Sequence, residues 1–463
     1  MERKNAWLSY TEADEREMEE IAKAYRAFLD KGKTERECVT QIIAQAEEKG
    51  YECLEEKVKR GEILKAGDKV YTVGMKKIVA LFHIGEENLE NGMNILGAYI
   101  DSPRLDIKQN PLYEDTDLAY LDTHYYGGVK KYQWVTLPLA IHGVVAKKDG
   151  TVVDVNIGEE ESDPIVYITD LLIHLAGAQL EKKAKEVIEG EKLDILVGSR
   201  PLKDLPDDQK KEAVKANILK ILNEKYGIEE EDFLSAELEI VPAGKARECG
   251  LDRSMIAAYG QDDRVCAYTS LLAMLEMEAP KRTSCCLLVD KEEIGSVGAT
   301  GMQSRFFENS VAELLEGMGC YSELSLRRTL RSCRMLSSDV SAGYDPAFSD
   351  AFEKKNTAFL GRGIVLNKFT GARGKSGSND ANAEYVARVR RVFDEHEVAF
   401  QTAELGKVDV GGGGTIAYIA ALYGMEVIDS GVAVLSMHSP WEVTSKADIY
   451  EAKKAYKAFL LDA

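Results

Sequence analysis

Between Tyr259 and Gly301 the chain carries two acidic pairs, Asp262-Asp263 ahead of a helical pattern and Glu292-Glu293 after an apolar run. Ala267, Leu271, Leu272 and Leu275 keep helical spacing as far as Met277. Pro280 ends that pattern, because proline has no N–H to donate and its ring clashes with the preceding turn. Ser284 to Val289 shows no polar alternation, which predicts a strand buried on both faces of a sheet. Such a strand needs helices above and below it, so the fold class expected is α/β. In open sheets of this kind, ligands gather beyond the carboxyl ends of strands. The two acidic pairs are expected to meet there. Alone, an Asp before a helix serves as a cap and Glu-Glu after a strand as solvated loop charge. The conjunction draws its weight from the rest of the chain.

Residues 12 to 59 read as two charged amphipathic helices, and Lys69 to His83 as a hairpin. Ile95 to Ile100 is another buried strand, ending in Asp101-Ser102-Pro103-Arg104. The character then changes. Residues 105–248 read as an inserted, β-rich domain with strands at Trp134 to Val145 and Thr151 to Ile157. One apolar helix is expected from Ile168 to Leu180, with His174 among leucines and alanines as a core histidine. After Glu248 strands and helices alternate to the end, so 1–104 and 249–463 form one core that the insert interrupts. At 463 residues the chain is too long for a single ordinary core.

Later segments add candidates. Ser337-Ser338-Asp339 follows an apolar approach, and Gly431 to Met437 reads as a strand ending at His438. Gly371 to Ser378 lacks the spacing of a phosphate loop. Gly411 to Gly414 permits a close backbone approach or a tight turn. Asp101, Asp262, Glu292, Glu293, Asp339 and His438 thus occupy strand ends or helix starts. Buried together, so many carboxylates need a cation to offset their repulsion and desolvation. A pair of divalent metals, with one bridging carboxylate and one free Glu as proton shuttle, is the economical account.

These residues resemble the aspartyl aminopeptidase family of dinuclear zinc aminopeptidases, over nearly the whole chain. DSP at Asp101 to Pro103, DDR at Asp262 to Arg264, EEIGS at Glu292 to Ser296, SSD at Ser337 to Asp339 and MHS at Met437 to Ser439 occur in the family's order. The resemblance implies a mixed-sheet core flanked by helices and an inserted dimerisation domain. It makes Asp262 the bridging ligand, Glu293 and His438 ligands of one metal, and Asp339 a ligand of the other. Glu292 becomes the general base and Asp101 an acid behind the ligands. His174 sits where the family has a histidine reaching a neighbouring subunit's site. One position departs from the pattern: the family's first ligand histidine is Tyr99 here. Two divalent ions are implied, zinc foremost; the oxygen-rich site at Tyr99 is weaker for zinc and relatively better suited to a harder ion such as manganese, with cobalt as a further alternative there.

The expected activity is therefore removal of N-terminal residues from peptides, acidic ones by the family's name, with Lys368 or Arg373 as counter-charge. A homo-oligomer, the family's dodecamer, is implied. The alternatives are a non-catalytic assembly or peptide-binding protein, supported by Tyr99, and a metallohydrolase of another small amide. A net charge of −20 disfavours nucleic acid and anionic membranes as partners. The N-terminus has no apolar signal core, and eight scattered cysteines fit reduced thiols in a cytoplasm.

Overall fold

Neighbouring residues of the apolar strands face two different cores, which is why those strands show no polar side in the sequence. In the strand Ser284–Val289, Cys286 and Leu288 join one buried cluster, and Cys285, Leu287 and Val289 join another. The strand Asn94–Tyr99 divides in the same way, Leu96 and Ala98 against Ile95 and Tyr99. The computed structural model describes residues 3–203, 205–206, 210–371, 374–413 and 416–463. The chain falls into two units: Met1–Ser102, Ala246–Met437 and Glu442–Ala463 form the first, and Pro103–Lys245 with His438–Trp441 the second. These bounds differ by a few residues from those read at 104 and 248. The segment holding His438, read from sequence as part of the core, groups with the second unit.

In the first unit, nine strands among the described residues form one sheet. Its middle runs Ile78–His83, Ser284–Val289, Asn94–Tyr99, Arg334–Ser338 and Glu426–Gly431. The last four of these are mutually parallel neighbours. One cluster unites the helices Glu12–Lys31, Glu35–Glu48, Gln261–Leu275, Ala383–Glu395 and Lys446–Asp462 with one face of the sheet. Leu54–Lys59, Phe306–Gly317, Glu323–Ser332 and Ile416–Ala421 pack in the other cluster. The N-terminal region therefore holds three helices rather than two. Thr11 and Thr34 start the longer pair, each closing a capping box with the acid three residues on. Gln261–Leu275 is buried along its length except at Leu272, as expected of a helix apolar all round.

The strand expected from Gly431 to Met437 is broken. Glu426–Gly431 belongs to the large sheet, whereas Ala433–Leu435 belongs to a separate five-stranded sheet. A Cβ on Gly431 would lie 1.7 Å from the Asp339 carbonyl oxygen, so the chain turns away where two backbones meet.

The second unit is β-rich. Strand Ala236–Pro242 pairs with both Arg104–Asp115 and Pro138–Ala146, so six of its seven described strands close on themselves as a barrel, and Val152–Ile157 pairs with Pro138–Ala146 outside that ring. The strand expected from Trp134 starts at Pro138, because Trp134 ends the short turn Lys131–Gln133. The helix expected over Ile168 to Leu180 is absent. Only the turn Ile173–Leu175 and the four-residue helix Gly177–Leu180 form there. An apolar helix needs burial on every face, and Leu171, Leu172, Ile173 and Leu175 remain exposed. His174 is exposed with them and is not a core histidine.

Candidate metal centre

Three carboxylates converge where the helix Gln261–Leu275 begins and the strand Arg334–Ser338 ends. Asp262, Asp263 and Asp339 each place an oxygen within 4.8 Å of the others. Asp262 and Glu293 meet the same limit, so Asp262 is common to two sets of acids. Glu292 and Glu293 open the short turn Glu292–Ile294, just past the buried strand Ser284–Val289. The two acidic pairs read from the sequence do come together.

Asp101 holds the Glu pair by its backbone. Its Oδ1 accepts the Glu292 N–H at 3.1 Å and its Oδ2 the Glu293 N–H at 3.3 Å. The Ser102 hydroxyl donates to the Asp262 carbonyl at 2.6 Å, and the Asp262 N–H donates to Glu442 at 3.0 Å. Arg264, fully buried, donates from Nε to the Ile100 carbonyl at 3.1 Å and from Nη2 to the Lys33 carbonyl at 3.0 Å. It thereby ties the start of the helix to the strand end that carries Asp101. Gly260, at φ 72°, leaves the space this guanidinium needs.

Electrostatics mark the same place. Burial, then the charge of Asp339, holds the Asp263 carboxyl well above its usual range. Asp263 Oδ2 accepts the Tyr99 N–H at 3.0 Å, while its buried Oδ1 has no hydrogen-bond partner. Burial and the carboxylates of Asp339, Glu293, Asp262 and Asp101 likewise raise Glu292. A buried carboxylate oxygen without a donor, among further acids, fits a divalent cation. From the sequence Asp263 is only the alternative to Asp262 as bridging ligand. Its adjacency to Asp262 was the only signal, and burial is what makes it notable.

Tyr99 is buried beside this group. Its hydroxyl lies 3.2 Å from Ser296 Oγ, and burial, then Glu292 and Asp339, pushes the phenol well above its usual range. His438 lies in the second unit, where its Nδ1 is 2.8 Å from the Gly128 carbonyl. Donation from Nδ1 would leave Nε2 as the nitrogen with a lone pair. Lys368 is ion-paired with Asp380, which Lys375 also contacts at 2.9 Å. Arg373 lies outside the described residues. None of the eight cysteines is in a disulfide. No described helix is long and apolar enough to cross a membrane.

A family model described as the aminopeptidase I zinc metalloprotease family, M18, matches residues 28–460. A probable M18 family aminopeptidase 1 of Clostridium acetobutylicum is 62% identical over 459 residues, covering 99% of this chain and 98% of that protein. The crystal structure of an M18 aminopeptidase from Thermotoga maritima superposes with a TM-score of 0.95 at 46% identity, covering 100% of both chains. A yeast structure described as an mApe1 dodecamer shares the fold, with a TM-score of 0.76 at 22% identity over 96% of this chain and 97% of that one.

Proposed function

The chain belongs to the M18 family of zinc aminopeptidases, and from that premise we propose how its residues divide the hydrolysis of a peptide's N-terminal bond. Asp262, Glu293 and His438 would hold one divalent cation, and Asp262 and Asp339, with Tyr99 or Asp263 beside them, a second. Bound there, the ions would polarise the scissile carbonyl and acidify the attacking water. Glu292 takes the proton from that water and returns it to the leaving amine. Asp101 keeps this base in place through the two backbone N–H groups it accepts. The observation that carries the assignment is the buried, partnerless oxygen of Asp263 among converging acids. An oxygen-rich second site is weaker for zinc and relatively better suited to a harder ion such as manganese.

The second unit is assigned to dimerisation, with His174 reaching the site of a neighbouring subunit. The exposed Leu171, Leu172, Ile173 and Leu175 beside it support that reading, since such a patch marks an interface. A dodecamer is proposed by analogy with the yeast assembly.

Glu292→Gln tests the mechanism. Turnover should fall by about two orders of magnitude or more, the scale of a lost general base, with metal content unchanged. Near-normal turnover would remove Glu292 from the reaction.

A further inference from the structure

The first unit holds a cavity of about 510 Å³ at the far edge of its large sheet, where the strand Phe400–Thr402 is outermost. None of the carboxylates of the metal centre lines it. Arg3, Lys355, Arg362 and Arg390 do, and Glu404 is the one carboxylate among its described lining residues. In a chain with 79 acidic and 59 basic residues, that inverts the overall charge bias. Lys368 also lines the wall but is committed to Asp380.

Ring faces stack against two of these cations. Arg3 lies over Phe400 at 4.2 Å and Arg362 over Phe359 at 4.4 Å, and both rings line the cavity. Stacking on a ring fixes a guanidinium without neutralising its charge or occupying its in-plane donors. Arg3 and Arg390 form no ion pair among the described residues. A second, independent feature points the same way. Thr357 lines the cavity at 4% exposure, and its buried hydroxyl has no hydrogen-bond partner. A buried donor with no acceptor is costly, and a turn of the side chain toward a bound oxyanion would satisfy it.

We propose that this cavity binds a small ligand bearing a phosphate or carboxylate group, at a site separate from the metal centre. Guanidinium forks match both groups, and the volume falls within the range of small-molecule sites. The inference does not depend on the catalytic assignment above.

Calorimetric titration of the metal-loaded protein with inorganic phosphate, and separately with succinate, tests it at ionic strength held constant with potassium chloride. Saturable binding of at least one probe is expected, and the stronger of the two tells phosphate from carboxylate. Arg3→Ala combined with Arg390→Ala should weaken it about tenfold or more. Thr357→Val should weaken it too. Metal content, unfolding midpoint and peptidase rate in anion-free buffer should not change in the double variant. Binding that survives the double substitution would belong to the metal centre and overturn the proposal. So would the absence of saturable binding of either probe up to about 10 mM, an affinity too weak for a built site.

Discussion

Tyr99 is the residue that separates this chain from the histidine its family resemblance led one to expect. Its phenol is buried, hydrogen-bonded to Ser296 and held above its usual pKa, which makes it a poorer ligand than an imidazole. The native protein should therefore bind one metal tightly and a second loosely, with activity rising more on added manganese or cobalt than on zinc. Tyr99→His should tighten the second site by about tenfold or more, roughly 1.4 kcal/mol. Asp263→Asn should loosen it further, because an amide is a weaker ligand than a carboxylate. Metal titration followed by manganese resonance reads both variants without relying on turnover. Two zinc ions held tightly by the native chain would end the weak-site account.

At the scale of elements, the geometry depends on strands arriving at the right level. Asp339 is placed by the Arg334–Ser338 strand and by the close passage of Gly431 against its backbone. Gly431→Ala must push these backbones apart, at a cost typical of overpacking, about 1–3 kcal/mol. Reduced metal content with a lower unfolding midpoint is expected, and unchanged values of both would show that the contact relaxes freely. The strand Ile78–His83 carries a pH dependence of its own. Burial, then the charge of Lys69, lowers the His83 pKa to about 4. The unfolded chain takes up a proton below about pH 6.5, whereas the folded chain resists until about 4. Stability present above 6.5 is thus lost as pH falls between those values, about 2 kcal/mol by pH 5. Urea unfolding of native and His83→Phe protein at pH 7.5 and 5 should show the variant losing less. Parallel losses would assign the acid sensitivity elsewhere.

For the whole molecule, the proposal that His174 reaches another copy of the chain is open to test. His174→Ala should lower activity with metal content intact. Mixing it with Glu292→Gln should restore some activity once subunits exchange, since a site with Glu292 would then have an intact histidine opposite. Mixed oligomers that stay inactive would leave His174 as a surface residue only. The exposed leucines and isoleucine around it should also make the assembly sensitive to Ile173→Asp, read as dissociation in sedimentation.

The layered α/β core, the doubly buried strand Ser284–Val289 and the acids at its end were legible because they rest on near-neighbour physics. Periodicity, caps and proline breaks act within a few residues and leave their mark in the string. Membership of the family followed from short motifs kept in order. Other features depend on residues far apart in the chain. Gly431 changes sheets because the Asp339 backbone occupies the space beside it. Ile168 to Leu180 fails to form a helix because nothing within its own unit covers its apolar faces. Asp263 stands out because folding buries one of its oxygens without a donor. No local pattern encodes these outcomes, since packing, desolvation and steric exclusion are set only once distant segments meet.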